Sequence, residues 1–148
     1  MESFTSRELE GRTRLPLRLV FDTAQSPVSE GVRRRDVTSR HLLYQAEDLC
    51  LDLRIEREPR GGRAVLVGQL ADLGDPLRPV PPLPVLLLSE GEILASTGTN
   101  RLGEFQMSIE PRPAMQICFP LAGERMVEVP IDRRMTERPE DGAVEEPA

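Results

Sequence analysis

The chain has 148 residues, of which 39 % are hydrophobic and only 3 % aromatic, and a formal net charge of −6. That length suits one domain. The acidic balance disfavours direct nucleic-acid binding, which draws its affinity from neutralising phosphates, and without Trp there is little with which to stack bases or build an aromatic cage.

All the basic residues are Arg, which rules out Schiff-base chemistry and a phosphate-loop lysine and points to a GC-rich bacterial genome. No apolar run approaches the roughly 20 residues of a spanning helix. The start, MESFTSRELEGRTRLPLRL, lacks an apolar stretch of the secretory kind, so a cytoplasmic protein without membrane contact is expected. Cys50 and Cys118 are then expected as free thiols.

Residues 1–13 are polar, charged and aperiodic and read as a loose arm. In 14–22, RLPLRLVFD, the alternating Leu15, Leu17, Leu19 and Phe21 predict an extended segment laid along a surface. Arg33, Arg34 and Arg35 form a charge run, either a solvated loop or a contact for an acidic partner or phosphate. Residues 37–47, VTSRHLLYQAE, suit a short helix capped by Thr38 or Ser39, with Leu42, Leu43 and Ala46 on one face, or else the entry to a strand. The whole of 14–47 is expected to pack, extended or partly helical, on the domain that follows.

Seven strands are predicted near 48–57, 63–72, 83–89, 92–98, 104–110, 114–121 and 125–131, with Gly, Pro and Asn turns between them. The first is the cleanest: Leu49, Leu51, Leu53 and Ile55 face a core, and Cys50, Asp52, Arg54 and Glu56 face water. Pro130 cannot donate to a ladder, so the last strand is expected to be open on that side. This pattern is that of an all-β sandwich over 48–132. The remainder, 133–148, has the acid-rich composition of a disordered tail.

Within 63–110, the order Gly68, Leu70, Asp72, Gly74-Asp75-Pro76-Leu77, Pro84-Val85, Ala95, Thr97, Thr99, Asn100, Gly103, Phe105 resembles the carboxypeptidase regulatory-like domain. The resemblance implies a seven-stranded transthyretin-like (prealbumin-like) Greek-key β-sandwich. This chain departs from the family pattern in its longer, proline-rich crossing between Leu77 and Val85 and in Asn100, where Asp is commoner. More narrowly, RHLLYQAEDLCLDLRIE with GEILASTGTNRLGEFQM resembles small bacterial proteins encoded beside extracytoplasmic-function (ECF) sigma factors and caspase-like (CHAT) proteins with helical repeats. That implies an accessory or adaptor protein with such a protein as partner.

Nothing in the residue spacing assembles a catalytic site. His41 is the single histidine, and two distant cysteines complete neither a Cys-His pair nor a zinc site, so no catalytic residue, metal or cofactor is assigned. The transthyretin-like 5-hydroxyisourate hydrolases use several histidines and a Tyr-Arg-Gly-Ser terminus, whereas this chain has His41 and ends Glu145-Glu146-Pro147-Ala148. Asp72, Asp75 and Asn100 could gather around Ca²⁺, although turns use the same residues for local hydrogen bonds. The proline-rich 76–84 could be a polyproline II ligand or simply a stiff connection.

The expectation is a non-enzymatic protein–protein interaction or adaptor module in a bacterial cytoplasmic complex. The alternative is a self-assembling, homo-oligomeric sandwich that uses its sheet edge or leading strand. Candidate partner contacts are Leu15, Leu17, Leu19, Phe21, Arg33, Arg34, Arg35, Arg78, Pro79, Pro81 and Pro82.

Overall fold

The computed structural model describes residues 4–23, 39–58, 62–74 and 80–131. They hold one short helix, α1 (Ser6–Glu10), and ten strands: β1 (Thr13–Arg14), β2 (Arg18–Asp22), β3 (Ser39–Ala46), β4 (Leu49–Arg57), β5 (Ala64–Asp72), β6 (Pro84–Ser89), β7 (Glu92–Gly98), β8 (Glu104–Ile109), β9 (Met115–Leu121) and β10 (Arg125–Ile131). Two five-stranded sheets result. Sheet A runs β1-β10-β9-β6-β7 and sheet B runs β2-β3-β4-β5-β8. Among the described residues no helix is long and apolar enough to cross a membrane.

The expected seven strands correspond to β4 through β10, but the described chain holds ten because the leading residues add three more. The segment 37–47, open between helix and strand, contains strand β3, which pairs along its length with β4 from Ser39↔Glu56 to Ala46↔Leu49. Leu42, Tyr44 and Ala46 are buried while His41, Leu43 and Gln45 lie on the other face. That period of two, held in register by β4, wins over the helical spacing of Leu42, Leu43 and Ala46.

The core lies between the sheets. Leu51, Leu53 and Ile55 of β4 meet Ile117 and Phe119 of β9 and Val127 and Val129 of β10 in one buried cluster. Sheet A is apolar on its other face too: Leu86, Leu88, Cys118 and Met126 form a second buried cluster. This explains the unbroken Val85-Leu86-Leu87-Leu88 run, since a strand covered on both faces does not alternate. The cover on the outside is α1, whose Leu9 is fully buried there with Phe4 packed beside it.

Residues 1–13 were expected as a loose arm, and from Phe4 onward they are ordered. Thr5 and Glu8 make a reciprocal capping box that starts α1. Arg12 then donates to the carbonyls of Leu121 (2.8 Å) and Arg125 (3.2 Å) and lies over the Phe4 ring. β1 pairs in parallel with the start of β10, and Leu15 follows into the main core. The leading segment thus closes the side of the sandwich, passing from sheet A at β1 to sheet B at β2. Leu15 N still donates to Met126 O (2.9 Å), but beyond it nothing described pairs with that side of β10, so the missing N–H of Pro130 costs no ladder bond.

Candidate functional site

Of the residues that carry the family resemblance, Leu70, Asp72, Thr99, Asn100 and Gly103 lie at one pole of the sandwich, where β5 ends, β6 begins and β7 passes into β8, with Gly68 and Phe105 just inside it; Asp75, Pro76 and Leu77 lie outside the described residues. Gly68 of β5 stands opposite Phe105 of β8, and a Cβ at Gly68 would collide with the Phe105 ring. The ring lies over bare backbone there and meets Phe119 edge-on, with centroids 5.4 Å apart. Gly103 has φ +80°, and a Cβ on it would strike the carbonyl oxygen of Leu70, whose N–H donates to Gly103 O (2.9 Å).

Asn100 organises the turn between β7 and β8. Its Oδ1 accepts from the N–H groups of Leu102 and Glu104, both at 2.9 Å, and its Nδ2 donates to Glu104 Oε1 (3.1 Å). Thr99 fastens this turn to the crossing: its Oγ1 accepts from Leu83 N (2.8 Å) and its own N–H donates to Leu83 O (2.9 Å). Asp72 Oδ1 accepts from Gly74 N at 2.9 Å. These are turn bonds of the kind Asp and Asn commonly make. Asp75, the third residue of the calcium reading, lies outside the described residues, and among those described no group of three His, Cys, Asp or Glu could hold a metal ion.

His41 lies on the outer face of sheet B, with Nε2 2.6 Å from Asp52 Oδ1 and its ring 5.7 Å from that of Phe21. The contact orients the imidazole but brings neither cysteine to it. Cys50 and Cys118 are both free. They face outward from opposite sheets, and sheets packed about 10 Å apart cannot bring such thiols within disulfide reach. Burial, then the negative charge of Asp52, raises the pKa of Cys50. Burial, then Glu128, pushes Cys118 up to about 12, with Arg14 pulling the other way. A nucleophilic thiol needs the opposite shift.

Two features had no forecast in the sequence. Asp22, nearly buried, takes a two-pronged contact from Arg40: Nε to Oδ1 at 3.0 Å and Nη2 to Oδ2 at 2.8 Å. It ties β2 to β3 beside Tyr44, whose pKa burial and then Asp22 raise while Arg40 opposes. The second is a shallow groove of about 740 Å³ on the outer face of sheet B, lined by Asp52, Arg54, Val67, Gln69, Glu104 and Gln106 among others.

The candidate partner contacts divide. Leu15 is buried and Leu17 half-buried against the core, so both are spent inside the fold. Leu19 and Phe21 are exposed on β2, the edge of sheet B, as are Pro81 and Pro82 before β6. Arg33, Arg34, Arg35, Arg78 and Pro79 lie outside the described residues. Two exposed apolar side chains at the turn-bearing pole went unforeseen, Leu73 and Leu102. Leu102 could have been found: an apolar residue inside an Asn-x-x-Gly turn has no strand face to carry it inward. No protein-family model, curated protein or solved structure matches this chain.

Proposed function

We propose that the protein is a non-enzymatic protein–protein interaction module, an adaptor in a bacterial cytoplasmic regulatory or effector complex. The observation that carries this reading is that, among the described residues, the side chains weighed for chemistry are already engaged in the fold. Asn100, Thr99 and Asp72 hold turns, His41 is engaged by Asp52, and both thiols are shifted away from the thiolate. What the surface offers instead is exposed apolar side chains. A transthyretin-like Greek-key fold of the carboxypeptidase regulatory-like kind is part of the proposal. It is supported by β4-β5-β8 in one sheet and β7-β6-β9-β10 in the other. The partners implied by the resemblance are a CHAT protein with helical repeats or an ECF sigma factor.

The test is purification of the tagged full-length protein from its host with identification of what accompanies it. One stable partner is expected. Turnover of any substrate that vanished on replacing His41, Cys50 or Cys118 would overturn the reading. Truncation of the first 22 residues is a poor probe of contacts, because it removes Leu9 and Leu15 from buried positions.

A second reading, self-association, is favoured by the consecutive Leu19, Val20 and Phe21, which are 40, 55 and 37 % exposed on an edge strand. Light scattering that finds a strict monomer at high concentration removes it.

A further inference from the structure

Two exposed apolar surfaces remain once the chain has folded. On β2, a register shift falls between Leu19 and Phe21. Leu19 pairs with the inward-facing Tyr44 and Phe21 with the half-buried Leu43 of the outer face, so a strand laid alongside would meet no consistent face. Bulged edges resist strand addition. The other surface is the turn-bearing pole, where Leu73 is 55 % and Leu102 64 % exposed, and where Pro81 and Pro82 are exposed just before β6.

The diproline is shaped before any partner arrives. Each of residues 80–83 is a proline or immediately precedes one. Proline fixes its own φ near −65° and bars the helical region to the residue before it, which leaves polyproline II. Both ends are anchored. Val80 is buried in the main core, and Leu83 exchanges hydrogen bonds with Thr99 in both directions, at 2.8 and 2.9 Å. A ridge held this way loses little entropy on binding.

We propose that Pro81 and Pro82, at the pole that also exposes Leu73 and Leu102, are the contact surface for a different protein that offers an aromatic-lined groove with a basic rim. Aromatic-lined grooves are what receive polyproline II segments. A second copy of this chain cannot supply one: of its four Phe and one Tyr, Tyr44, Phe105 and Phe119 are core, Phe4 packs beside Leu9, and Phe21 on β2 has only the edge-on His41 ring beside it. The basic rim follows from the charges described at this pole, where Glu47, Asp48, Asp72, Glu104 and Glu124 outnumber Arg12, Arg101 and Arg125. The proposal rests on the interaction-module reading and adds to it the surface and the chemistry of the partner.

The test places p-benzoylphenylalanine singly at Leu73, Leu102, Val20 and Ser96 of the full chain in its host, followed by irradiation and sequencing of the joined peptides. Positions 73 and 102 should cross-link to one other protein, at a peptide containing Trp, Tyr or Phe. With that purified partner, the Pro81→Ala/Pro82→Ala double variant should bind roughly tenfold more weakly, while it keeps a cooperative unfolding transition whose midpoint falls by only a few degrees, the cost of freeing the unfolded chain at two exposed prolines. Cross-links to another protein from Val20 or Ser96 alone overturn the inference and leave the interaction reading standing. No cross-link to another protein from any position, or links only between copies, overturns both. A double variant that binds like the parent overturns the inference by itself.

Discussion

The two sheets differ on their outer faces. That of sheet A is apolar, built from Leu86, Leu88, Cys118 and Met126, and is sealed by Leu9 and Phe4. That of sheet B alternates Cys50, Asp52, Arg54 and Glu56 with core residues and needs no cover. This contrast gives the leading segment its role. It completes the fold over the one sheet that cannot face water, and the contact surfaces must be sought elsewhere.

Removing residues 1–12 should have the largest effect, because it uncovers the whole apolar face of sheet A. Burial of a single Leu side chain is worth about 1.5–3 kcal/mol, and the deletion also removes Arg12 and its two carbonyl contacts. The shortened chain should bind a hydrophobic dye and lose its cooperative unfolding transition. Leu9→Ala should be milder, costing about 2–4 kcal/mol in urea unfolding. A loss below about 0.5 kcal/mol would mean that α1 is not the cover.

The same contrast has a pH dependence. Cys118 has its folded pKa raised to about 12 from an ordinary value of 9.0. A raised pKa of this kind contributes stability that is intact below pH 9 and is lost as pH climbs toward 12, because the unfolded thiol ionises first. The slope is about 1.4 kcal/mol per pH unit at most. The urea midpoint should fall from pH 9 to pH 10.5, and Cys118→Ala should flatten that fall. On the open face the effects shrink further. The His41–Asp52 pair is partly exposed, and Asp52→Asn should cost under about 1 kcal/mol.

Much of the sandwich was legible because its rules are local. The alternation of Leu51, Leu53 and Ile55, the two-residue turn with Glu90 (φ 51°) and Gly91 (φ 82°), and the Asn100–Gly103 turn all declare themselves within a few residues. What escaped depends on distant partners. Strand β3 becomes a strand because β4 offers it an edge, and five residues of α1 matter only because an apolar face lies beneath them. Even there the chain left signs: Thr5-x-x-Glu8 is a capping box, and Val85–Leu88 asks for cover on both sides. The candidate site was half legible. Pro81 and Pro82 were in view, but that Leu73 and Leu102 share their pole follows only from the pairing of β5 with the turn before β8.

Thiol labelling tests the contrast between the two faces most directly. In the folded protein, Cys50 should react with a water-soluble maleimide while Cys118 stays protected, and Leu9→Ala should speed Cys118 and leave Cys50 unchanged. Equal labelling of both thiols in the folded parent, or a Cys118 rate indifferent to Leu9, would contradict the sealing of sheet A by its own leading segment.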